Sequence, residues 1–451
     1  MNFNTSEFLF VFLPLVIVVF HVAPRIARLP VLLASSFFFY WVSGDLAFTL
    51  LVVTVVWSAL MAFLVARYNS LWIIIGAVAA PLGFLFIFKY LGFALDVVGA
   101  GAGTRGHFGF ILQHVLPAGI SFYTFQVVSY LIDIRDGTVA PEKNPIKFAT
   151  FISFFPQLIA GPILRFEQIS GQLDRIAGEP RLTPDLRSGV KFLTWGLAYK
   201  ILFADVLRSF HELHDLTAGG GLDALYSVLA YSLIIYFDFW SYSLMAIGLG
   251  KFFCIDLPRN FREPYMSTSP REFWRRWHVT LSFWLRDYVY LRLGGNRAYI
   301  LNIVVVFVAC GIWHGAGWNF IVWGAYHGAL VILYHLTAAF WDNRPKALRI
   351  IVTFALVSLG WPLFYLDLSG FTTTMGAILT MAPAAKAVQF GAFAWGYLGV
   401  VALWTFALRE DRWLFNTEAH RIADNPIVLG LMFAISAVLL YFGRTFIYFN
   451  F

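Results

Sequence analysis

Long apolar runs separated by short polar gaps fill the first third of the chain. The runs lie at about residues 7–24, 30–44, 46–66, 71–88 and 110–134. One bilayer crossing needs about 20 mostly apolar residues, so the pattern predicts a series of membrane-spanning helices. Arg25, Arg28 and Arg67 fall in alternate gaps, and the positive-inside rule places those gaps in the cytoplasm and the N-terminus outside.

The pattern changes after residue 141. The run Phe151–Ile163 is apolar but short, and prolines and a glycine interrupt it, so we predict a re-entrant or interfacial segment there rather than a span. Further spans are predicted at about residues 189–209, 224–250, 300–314, 318–338, 348–367, 390–408 and 426–447, with a candidate short segment at 371–384. No internal repeat and no separate soluble domain is visible, and residues 1–451 are predicted to form a single integral membrane domain.

The composition supports this interpretation. Hydrophobic residues make up 60% of the 451 residues and charged residues only 13%. A soluble domain carries roughly 25% charged residues, so the composition excludes a soluble protein. The apolar residues suffice for at most about 13 spans, and connecting loops lower that number to about 9–11. We therefore predict an all-α polytopic membrane protein with about 9–11 transmembrane helices plus re-entrant and interfacial helices.

Neither the net charge nor the cysteines indicate that the protein binds a nucleic acid or a metal. The charge of +7 comes from 32 Lys+Arg against 25 Asp+Glu, and in a membrane protein the location of basic residues matters more than their sum. Cys254 and Cys310 lie far apart without a CxxC motif, which excludes a disulfide framework and a structural zinc site. Because P-loop, HExxH and GxSxG motifs are absent too, we predict no permanently bound cofactor, no metal and no nucleic-acid partner.

An arginine-rich stretch, residues 259–297, is the least membrane-like part of the chain. It holds eight arginines, no lysine and three acids. Aromatic and leucine residues recur in it every three or four positions, which predicts one amphipathic helix, capped by Ser269 or Ser267 and ended by Gly294 and Gly295. The surplus of arginine indicates an anionic partner, either lipid headgroups or a phosphate-bearing substrate such as coenzyme A. The absence of lysine favours phosphate, since arginine binds phosphate in a bidentate manner.

Ionisable residues inside apolar runs are candidates for chemistry, because a polar group in hydrocarbon is costly unless it is paired. His314 stands between an apolar run and a Gly-Ala-Gly break, and its ordinary pKa suits a general base; a structural histidine bonded to a carbonyl is the alternative. His278 falls on the inward face of the predicted amphipathic helix, where a half-buried interfacial histidine is the alternative. We expect His327 to support packing and Asp238 to form an ion pair with an arginine. The candidate substrate-binding residues are Arg275, Arg276, Arg286, Trp277, Asp238, Trp318 and Asn319.

Five long segments resemble one protein family. They read LPAGISFYTFQVVSYLIDIRDG (116–137), FISFFPQLIAGPILRF (151–166), DFWSYSLMAIGLGKFFCIDLPRNFREPY (238–265), FWRRWHVTLSFWLRDYVYLRLGGN (273–296) and GIWHGAGWNFIVWGAYHG (311–328). These segments, most of residues 116–328, are similar to the membrane-bound O-acyltransferases, in particular to the bacterial branch that acetylates alginate. The resemblance implies that His314 in WHG is the catalytic histidine and that His278 in RWH is the second functional histidine.

The resemblance also implies the reaction and its setting. An acetyl group, with acetyl-CoA as the expected donor, would move from the cytoplasm through a central tunnel to an extracellular or periplasmic polysaccharide such as alginate. The expected location is the bacterial inner membrane, and the expected partners are a periplasmic acetyltransferase or the polysaccharide acceptor, and membrane lipids. D-alanyl or peptidoglycan acyl transfer, a lipid acyltransferase and a non-enzymatic flippase or channel are the alternatives.

The chain departs from the family pattern at two positions. Family members often read DFSGYSDMAIG, whereas this chain reads DFWSYSLMAIG. Leu244 therefore stands where an aspartate is common, and Ser241 where a glycine is common. A role carried by that aspartate cannot be carried by Leu244, and Asp238 is the carboxylate that is retained.

Overall fold

The computed structural model describes residues 1–113, 116–212, 220–383, 391–408, 413–415 and 422–447. No β-strand occurs within these ranges, and helices account for nearly every element. Contacts divide the chain into two compact units: unit 1 comprises residues 1–193 and 243–258, and unit 2 comprises residues 194–242 and 259–451. The long helix Gly221–Phe252 changes unit after Tyr242.

Unit 1 is built from helices that the apolar runs predict. Its helices are Leu13–Val22 after a π-helical turn at Phe8–Phe12, Arg25–Trp41, Asp45–Tyr68, Leu71–Leu85 with a π-helical turn at Phe86–Tyr90, Leu91–Val97, Ala102–His107, Gly109–Leu112, Ile120–Arg135, Pro145–Ser153, Phe155–Leu158, Phe166–Gly178 and most of Leu186–Ala198. The helix is interrupted at Phe154, and the backbone is not helical between Ile159 and Arg165. The predicted interruption of Phe151–Ile163 is confirmed, and protein buries this whole segment.

Unit 2 contains the arginine-rich stretch and the helices that follow it. Its α-helices are Val206–Glu212 after the π-helical turn Tyr199–Asp205, the first part of Gly221–Phe252, Pro270–Arg276, Val279–Leu285, Tyr299–His314, Trp318–Trp341, Lys346–Gly360, Leu368–Thr380, Gly391–Ala407 and Pro426–Leu439. Shorter turns are π-helical at Arg286–Tyr290 and 3-10 at Pro264–Met266, Gly295–Ala298, Trp361–Phe364 and Leu440–Phe442.

Six of the described helices are long and apolar enough to cross a membrane: Asp45–Tyr68, Leu71–Val97, Gly221–Phe252, Gly295–His314, Trp318–Trp341 and Lys346–Phe364. Three shorter apolar helices are Phe8–Val22, Gly391–Ala407 and Pro426–Leu439. The helical, multi-pass character is thereby confirmed, because apolar segments of this length satisfy their backbone groups internally only as helices. The figure of about 9–11 crossings and the single-domain organisation stay predictions.

The predicted amphipathic helix of the arginine-rich stretch is wrong as one continuous element. Trp277 is extended and His278 adopts a left-handed backbone conformation with φ 42°, so the helix stops after Arg276 and restarts at Val279. Asn260 is the cause. Its carbonyl accepts the backbone N–H of Val279 at 2.9 Å, and its Oδ1 accepts the Thr280 hydroxyl at 2.6 Å. These distant hydrogen bonds replace the helical bonds that the pattern predicts.

Both predicted ends of this stretch are confirmed. The Ser269 hydroxyl accepts the backbone N–H of Glu272 at 3.2 Å and caps the first helix. Gly294 and Gly295 adopt φ angles of 92° and 60°, a region that glycine enters without the steric cost of a side chain. Local capping and stop signals therefore act as expected even where the middle of the stretch does not.

Two glycines bring the helices Tyr299–His314 and Trp318–Trp341 into backbone contact. A Cβ atom on Gly311 would lie 2.2 Å from the carbonyl oxygen of Phe320, and one on Gly324 would lie 2.2 Å from that of Phe307. Such distances are far below van der Waals contact, so only glycine permits this crossing. Since His314 ends the first of these helices, the crossing sets where its side chain lies.

Candidate active site

His314 lies in an aromatic enclosure at the C-terminal end of helix Tyr299–His314. Its side chain is 2% exposed, and its ring centroid lies 4.9 Å from that of Trp313, 5.1 Å from that of Trp323 and 5.1 Å from that of Phe364. A Cβ on Gly315 would lie 2.0 Å from the Phe320 ring, so the turn after His314 needs glycine. The imidazole is therefore held rigidly and away from bulk water.

His278 contacts the indole of Trp313, as His314 does. Its ring centroid is 6.0 Å from that of Trp313 and 4.7 Å from that of Phe239. The structure thus brings the two predicted catalytic histidines onto Trp313 from positions 36 residues apart in sequence (314 − 278). A non-glycine residue in the left-handed region costs about 1–3 kcal/mol and is typical of functional sites.

The protonation state of His278 follows from its burial. Burial lowers the pKa of the His278 imidazole to about 3, and a hydrogen bond with its own backbone opposes this shift. The ring is therefore neutral near pH 7 and carries one N–H donor and one acceptor nitrogen. A neutral imidazole can orient or polarise a carbonyl group, but it is a poor general base when its pKa is so low.

A pocket of about 290 Å³ opens in the arginine-rich stretch. We call it the arginine pocket. It is lined by Arg271, Trp274, Arg275, Ser282, Phe283, Leu285, Arg286, Tyr290, Asn296, Tyr299, Ile303, Val306, Phe307, Cys310 and Val331. Arginines occupy one part of the lining and apolar side chains most of the rest, which suits a ligand with a phosphate group and a thin apolar arm.

The arginine pocket leads toward His314 along one helix. Ile303, Phe307 and Cys310 line it from helix Tyr299–His314 with spacings of four and three. Residues at such spacings share a helix face, and His314 is the next position on that face. At a rise of 1.5 Å per residue, His314 lies about 6 Å beyond Cys310 along the helix axis.

The predicted phosphate-binding arginines have different surroundings. Arg275 and Arg286 line the arginine pocket, but Arg276 does not; it forms an ion pair with Glu272 at 2.7 Å and donates to the carbonyl of Arg262 at 3.3 Å. Arg286 forms a bidentate pair with Asp287 at 2.6 and 3.0 Å. Arg271, which the sequence pattern did not single out, lines the pocket instead. Neither Arg271 nor Arg275 forms an ion pair with another described residue.

Hydrogen bonds and charge lower the pKa of Glu272, which holds Arg276. Burial alone would raise the pKa of this carboxyl, but hydrogen bonds from the backbone and hydroxyl of Thr268 and the charge of Arg276 outweigh burial and lower it. The carboxylate is thus charged at neutral pH and keeps Arg276 in place. The spacing of four residues between Glu272 and Arg276 is the sequence signal that separates Arg276 from the adjacent Arg275.

Of three other predicted substrate-binding residues, Trp277 and Asn319 hold the site together, and Trp318 is exposed. Trp277 is fully buried, stacks on Phe273 with centroids 5.4 Å apart, and contacts Trp361 at 4.8 Å. Asn319 donates to the carbonyl of Leu363 at 2.8 Å and so fixes the turn that carries Phe364 against His314. Trp318 is 56% exposed. Contact of these three residues with a substrate stays a prediction.

Asp238 belongs to a buried ion triad with Lys200 and Asp205. The Lys200 ammonium lies 2.6 Å from Asp205 and 2.8 Å from Asp238. The second oxygen of Asp238 accepts the backbone N–H of Ile447 at 2.8 Å, and that of Asp205 accepts the backbone N–H of Arg444 at 3.1 Å. The predicted ion pair is confirmed, but the predicted arginine is wrong, because the cation is Lys200. With both oxygens engaged inside the protein, a structural role is favoured over substrate contact.

Metal ligands do not come together in the described ranges: no three His, Cys, Asp or Glu side chains there form a group that could hold a metal ion.

Leu244, at the position where an aspartate is common among similar sequences, is fully buried. The polar groups of the site include the histidines, the arginines, the indole N–H groups, and the side chains of Ser282, Tyr290, Asn296 and Tyr299 in the arginine pocket.

Comparisons with known proteins show which family the chain is similar to. The sequence profile of the membrane-bound O-acyltransferase family matches residues 141–364, which include both histidines and the arginine pocket. A probable alginate O-acetylase from Azotobacter vinelandii is 38% identical over 382 residues, covering 81% of this chain and 75% of the relative. A peptidoglycan O-acetyltransferase from Helicobacter pylori is 34% identical, covering 80% of this chain and 76% of the relative.

A more distant relative has a different acyl group in its name. A teichoic acid D-alanyltransferase from Bacillus subtilis is 30% identical over 268 residues, covering 54% of this chain and 68% of the relative. The acyltransferase chemistry is common to all three relatives. The family profile covers the site, and more than a third of the residues are identical over most of a relative. This chain therefore belongs to the membrane-bound O-acyltransferase family and is a multi-pass membrane O-acyltransferase.

Proposed function

We propose that this enzyme transfers an acetyl group from a cytoplasmic donor toward the hydroxyl groups of an extracellular or periplasmic polysaccharide such as alginate. The observation that carries the proposal is the arrangement of His314 one helical turn beyond a pocket that combines free arginines with an apolar wall. The relatives of greatest coverage are named for O-acetyl transfer to alginate and to peptidoglycan. The D-alanyl relative covers only 54% of this chain, so acetyl transfer is favoured over D-alanyl transfer.

His314 is the general base of the proposed reaction. It takes the proton from the acceptor hydroxyl or thiol as the acceptor oxygen or sulfur attacks the acyl carbonyl. The carbon–sulfur bond of the donor thioester breaks, a new acyl bond forms, and the proton passes from His314 to the departing thiolate. General-base catalysis contributes about 10²–10⁴-fold to the rate. The neutral His278, whose ring also contacts Trp313, orients or polarises the donor carbonyl.

Acetyl-CoA is the proposed donor, bound only during turnover. Its phosphates would lie on Arg271 and Arg275, which have no competing ion pair among the described residues, and its thin thioester arm would enter the apolar part of the arginine pocket. The pocket volume of about 290 Å³ is at the lower end of ligand pockets, roughly 300–1,000 Å³, so the adenine ring of the donor would stay outside it.

The rest of the proposed system follows from the direction of transfer. A donor made in the cytoplasm and an acceptor outside require the bacterial inner membrane as the location. A periplasmic acetyltransferase would then receive the acetyl group or pass it to the polymer. The names of the relatives support the acceptor class.

Analysis of the exported polymer tests the proposed function. A strain that lacks this chain should export polysaccharide without acetyl esters, and the wild-type chain supplied in trans should restore them. The measurement is the acetate released from the polymer by mild alkali, with D-alanine released from the cell envelope measured in parallel. Loss of D-alanine with unchanged acetate would favour the teichoic acid type of reaction, and no change in either would contradict acyl transfer to an exported polymer.

Replacing both Arg271 and Arg275 by glutamine should weaken the binding of coenzyme A by on the order of 1–3 kcal/mol, because charge-assisted bonds to phosphate are lost. That corresponds to a Kd about 5- to 150-fold higher. The effect should shrink at high salt, since exposed charges are screened. Isothermal titration calorimetry in detergent measures it, with coenzyme A and its 3′-dephospho analogue as ligands.

A matched control removes two arginines that do not line the arginine pocket. Arg297→Gln combined with Arg344→Gln changes the net charge equally and should leave the Kd for coenzyme A unchanged. If the Arg271/Arg275 variant keeps the wild-type Kd but partitions less onto anionic vesicles, the arginines bind lipid headgroups. Equal affinity of the wild-type protein for both ligands would argue against recognition of the 3′-phosphate.

A further inference from the structure

His327 is a buried histidine that the proposed reaction does not use. It lies on helix Trp318–Trp341 and has no exposed surface. Its ring centroid lies 4.8 Å from that of Trp323 and 5.2 Å from that of Trp274, and these two indoles lie 5.7 Å from each other. We call His327, Trp274 and Trp323 the indole–imidazole cluster.

The cluster is polar but lacks hydrogen bonds. Both ring nitrogens of His327 and the Nε1 atoms of Trp274 and Trp323 are buried, and none of the four has a hydrogen-bond partner among the described residues. A buried polar group without a partner costs about 1–3 kcal/mol. Packing alone would therefore be served better by an apolar ring at position 327. An arrangement that lowers stability in this way requires another explanation.

The position of the cluster links it to both parts of the proposed site. Trp274 lines the arginine pocket, as does Val331, which follows His327 by one helical turn. Trp323 contacts the ring of His314 with centroids 5.1 Å apart. The cluster thus lies at the point where a ligand in the arginine pocket would approach the general base.

The backbone at Gly360 packs closely against one nitrogen of His327. A Cβ atom on Gly360 would lie 3.0 Å from Nε2 of His327, so glycine is the residue that does not crowd this atom. Any larger side chain at position 360 would press on Nε2. The nitrogen is therefore shielded from bulk water without being sealed by a side chain of residue 360.

The hydrogen-bonding capacity of the cluster decides which ligand group it fits. A neutral imidazole supplies one donor and one acceptor, and each indole supplies one donor only. The cluster thus has three donors and one acceptor. Such an excess of donors suits an acceptor oxygen, and most of all one that gains negative charge, as an acyl carbonyl does when it is attacked.

We propose that the indole–imidazole cluster, with His327 at its centre, binds the carbonyl oxygen of the acyl group during transfer. This inference rests on the proposed function, because it assigns the cluster to the same reaction as His314. His327 is then a substrate-binding residue, and its imidazole is retained for its contact with the reacting carbonyl at the expense of stability.

The test replaces the imidazole by a ring without polar atoms. His327→Phe should give a folded protein whose thermal unfolding midpoint in detergent equals or exceeds that of the wild type, since two unpaired nitrogens are removed. Its kcat for acetyl transfer should fall about 10²–10³-fold, the usual effect of losing one such donor, while the KM for the donor changes little. A folded His327→Phe enzyme with wild-type kcat would overturn the proposal.

A second pair of variants covers the case in which phenylalanine does not fit. Glutamine and methionine have similar shapes, but only glutamine carries a donor and an acceptor. His327→Gln should therefore keep at least tenfold more activity than His327→Met at similar stability. Equal activities would contradict the proposal, and so would failure of both apolar variants to fold, because that result would make the polar nitrogens essential for stability.

The two proposals can fail separately. If the wild-type protein transfers no acetyl group, the proposed function fails, whatever His327 does. If the wild type is active and loss of His314 inactivates it, but His327→Phe remains fully active, the proposed function stands and only the role of the indole–imidazole cluster is wrong.

Discussion

Replacing His314 by glutamine is expected to abolish acetylation of the exported polymer while the protein still inserts and folds. Among the histidines that the structure describes, only His314 combines a position one turn beyond the arginine pocket with the shelter of Trp323 and Phe364. The neighbouring His278 cannot replace it as a base, because burial lowers its pKa to about 3. Loss of a general base costs about 10²–10⁴-fold in rate, enough to remove detectable product in a cell.

The measurement is the acetyl content of the polymer in a deletion strain that carries the variant, normalised to the amount of variant protein in the membrane. Glutamine is preferred to alanine because it leaves a smaller cavity in the aromatic enclosure. His335→Gln is the matched control, since His335 is an exposed histidine on helix Trp318–Trp341; it should support normal acetylation. Wild-type acetylation with His314→Gln would show that His314 is not the base.

Replacing Lys200 by methionine is expected to destabilise the protein by about 3–5 kcal/mol, the usual effect of breaking a buried ion pair. Lys200 has no exposed surface and is the cation shared by Asp205 and Asp238. Methionine fills most of the same space, so the loss comes from charge rather than from volume. Two buried carboxylates would then face each other without a counter-ion. The thermal unfolding midpoint and the yield of folded protein in detergent should both fall.

Two further variants separate charge from packing. Lys251→Met breaks the ion pair with Asp256, whose side chain is 68% exposed, and should cost only about 0–1 kcal/mol. Adding Asp205→Asn and Asp238→Asn to Lys200→Met removes the uncompensated charges and should recover part of the lost stability. If Lys200→Met costs no more than Lys251→Met, the triad does not anchor the backbone at Arg444 and Ile447.

The sequence by itself determined the class of the protein and the order of its helices, and it predicts that His314 and His278 are the functional histidines. Apolar runs of about 20 residues can bury their backbone groups in lipid only as helices, so the runs predict the spans without knowledge of their neighbours. Ser269 as a cap and Gly294 and Gly295 as a stop depend on atoms within a few residues. The resemblance of the WHG and RWH motifs to those of the family is what implies roles for His314 and His278.

Only the tertiary structure decided which polar groups meet. Asn260 breaks the predicted helix at Trp277 and His278 by hydrogen bonds to residues about 20 positions away. Lys200, rather than an arginine, neutralises Asp238, and Arg271 lines the arginine pocket together with Ile303 and Phe307 of another helix. Periodicity specifies which face of a helix is apolar. The ion pair of Lys200 with Asp238, the hydrogen bonds of Asn260 and the contacts among Trp274, Trp323 and His327 depend instead on distances between separate segments of the chain. No local sequence pattern contains those distances.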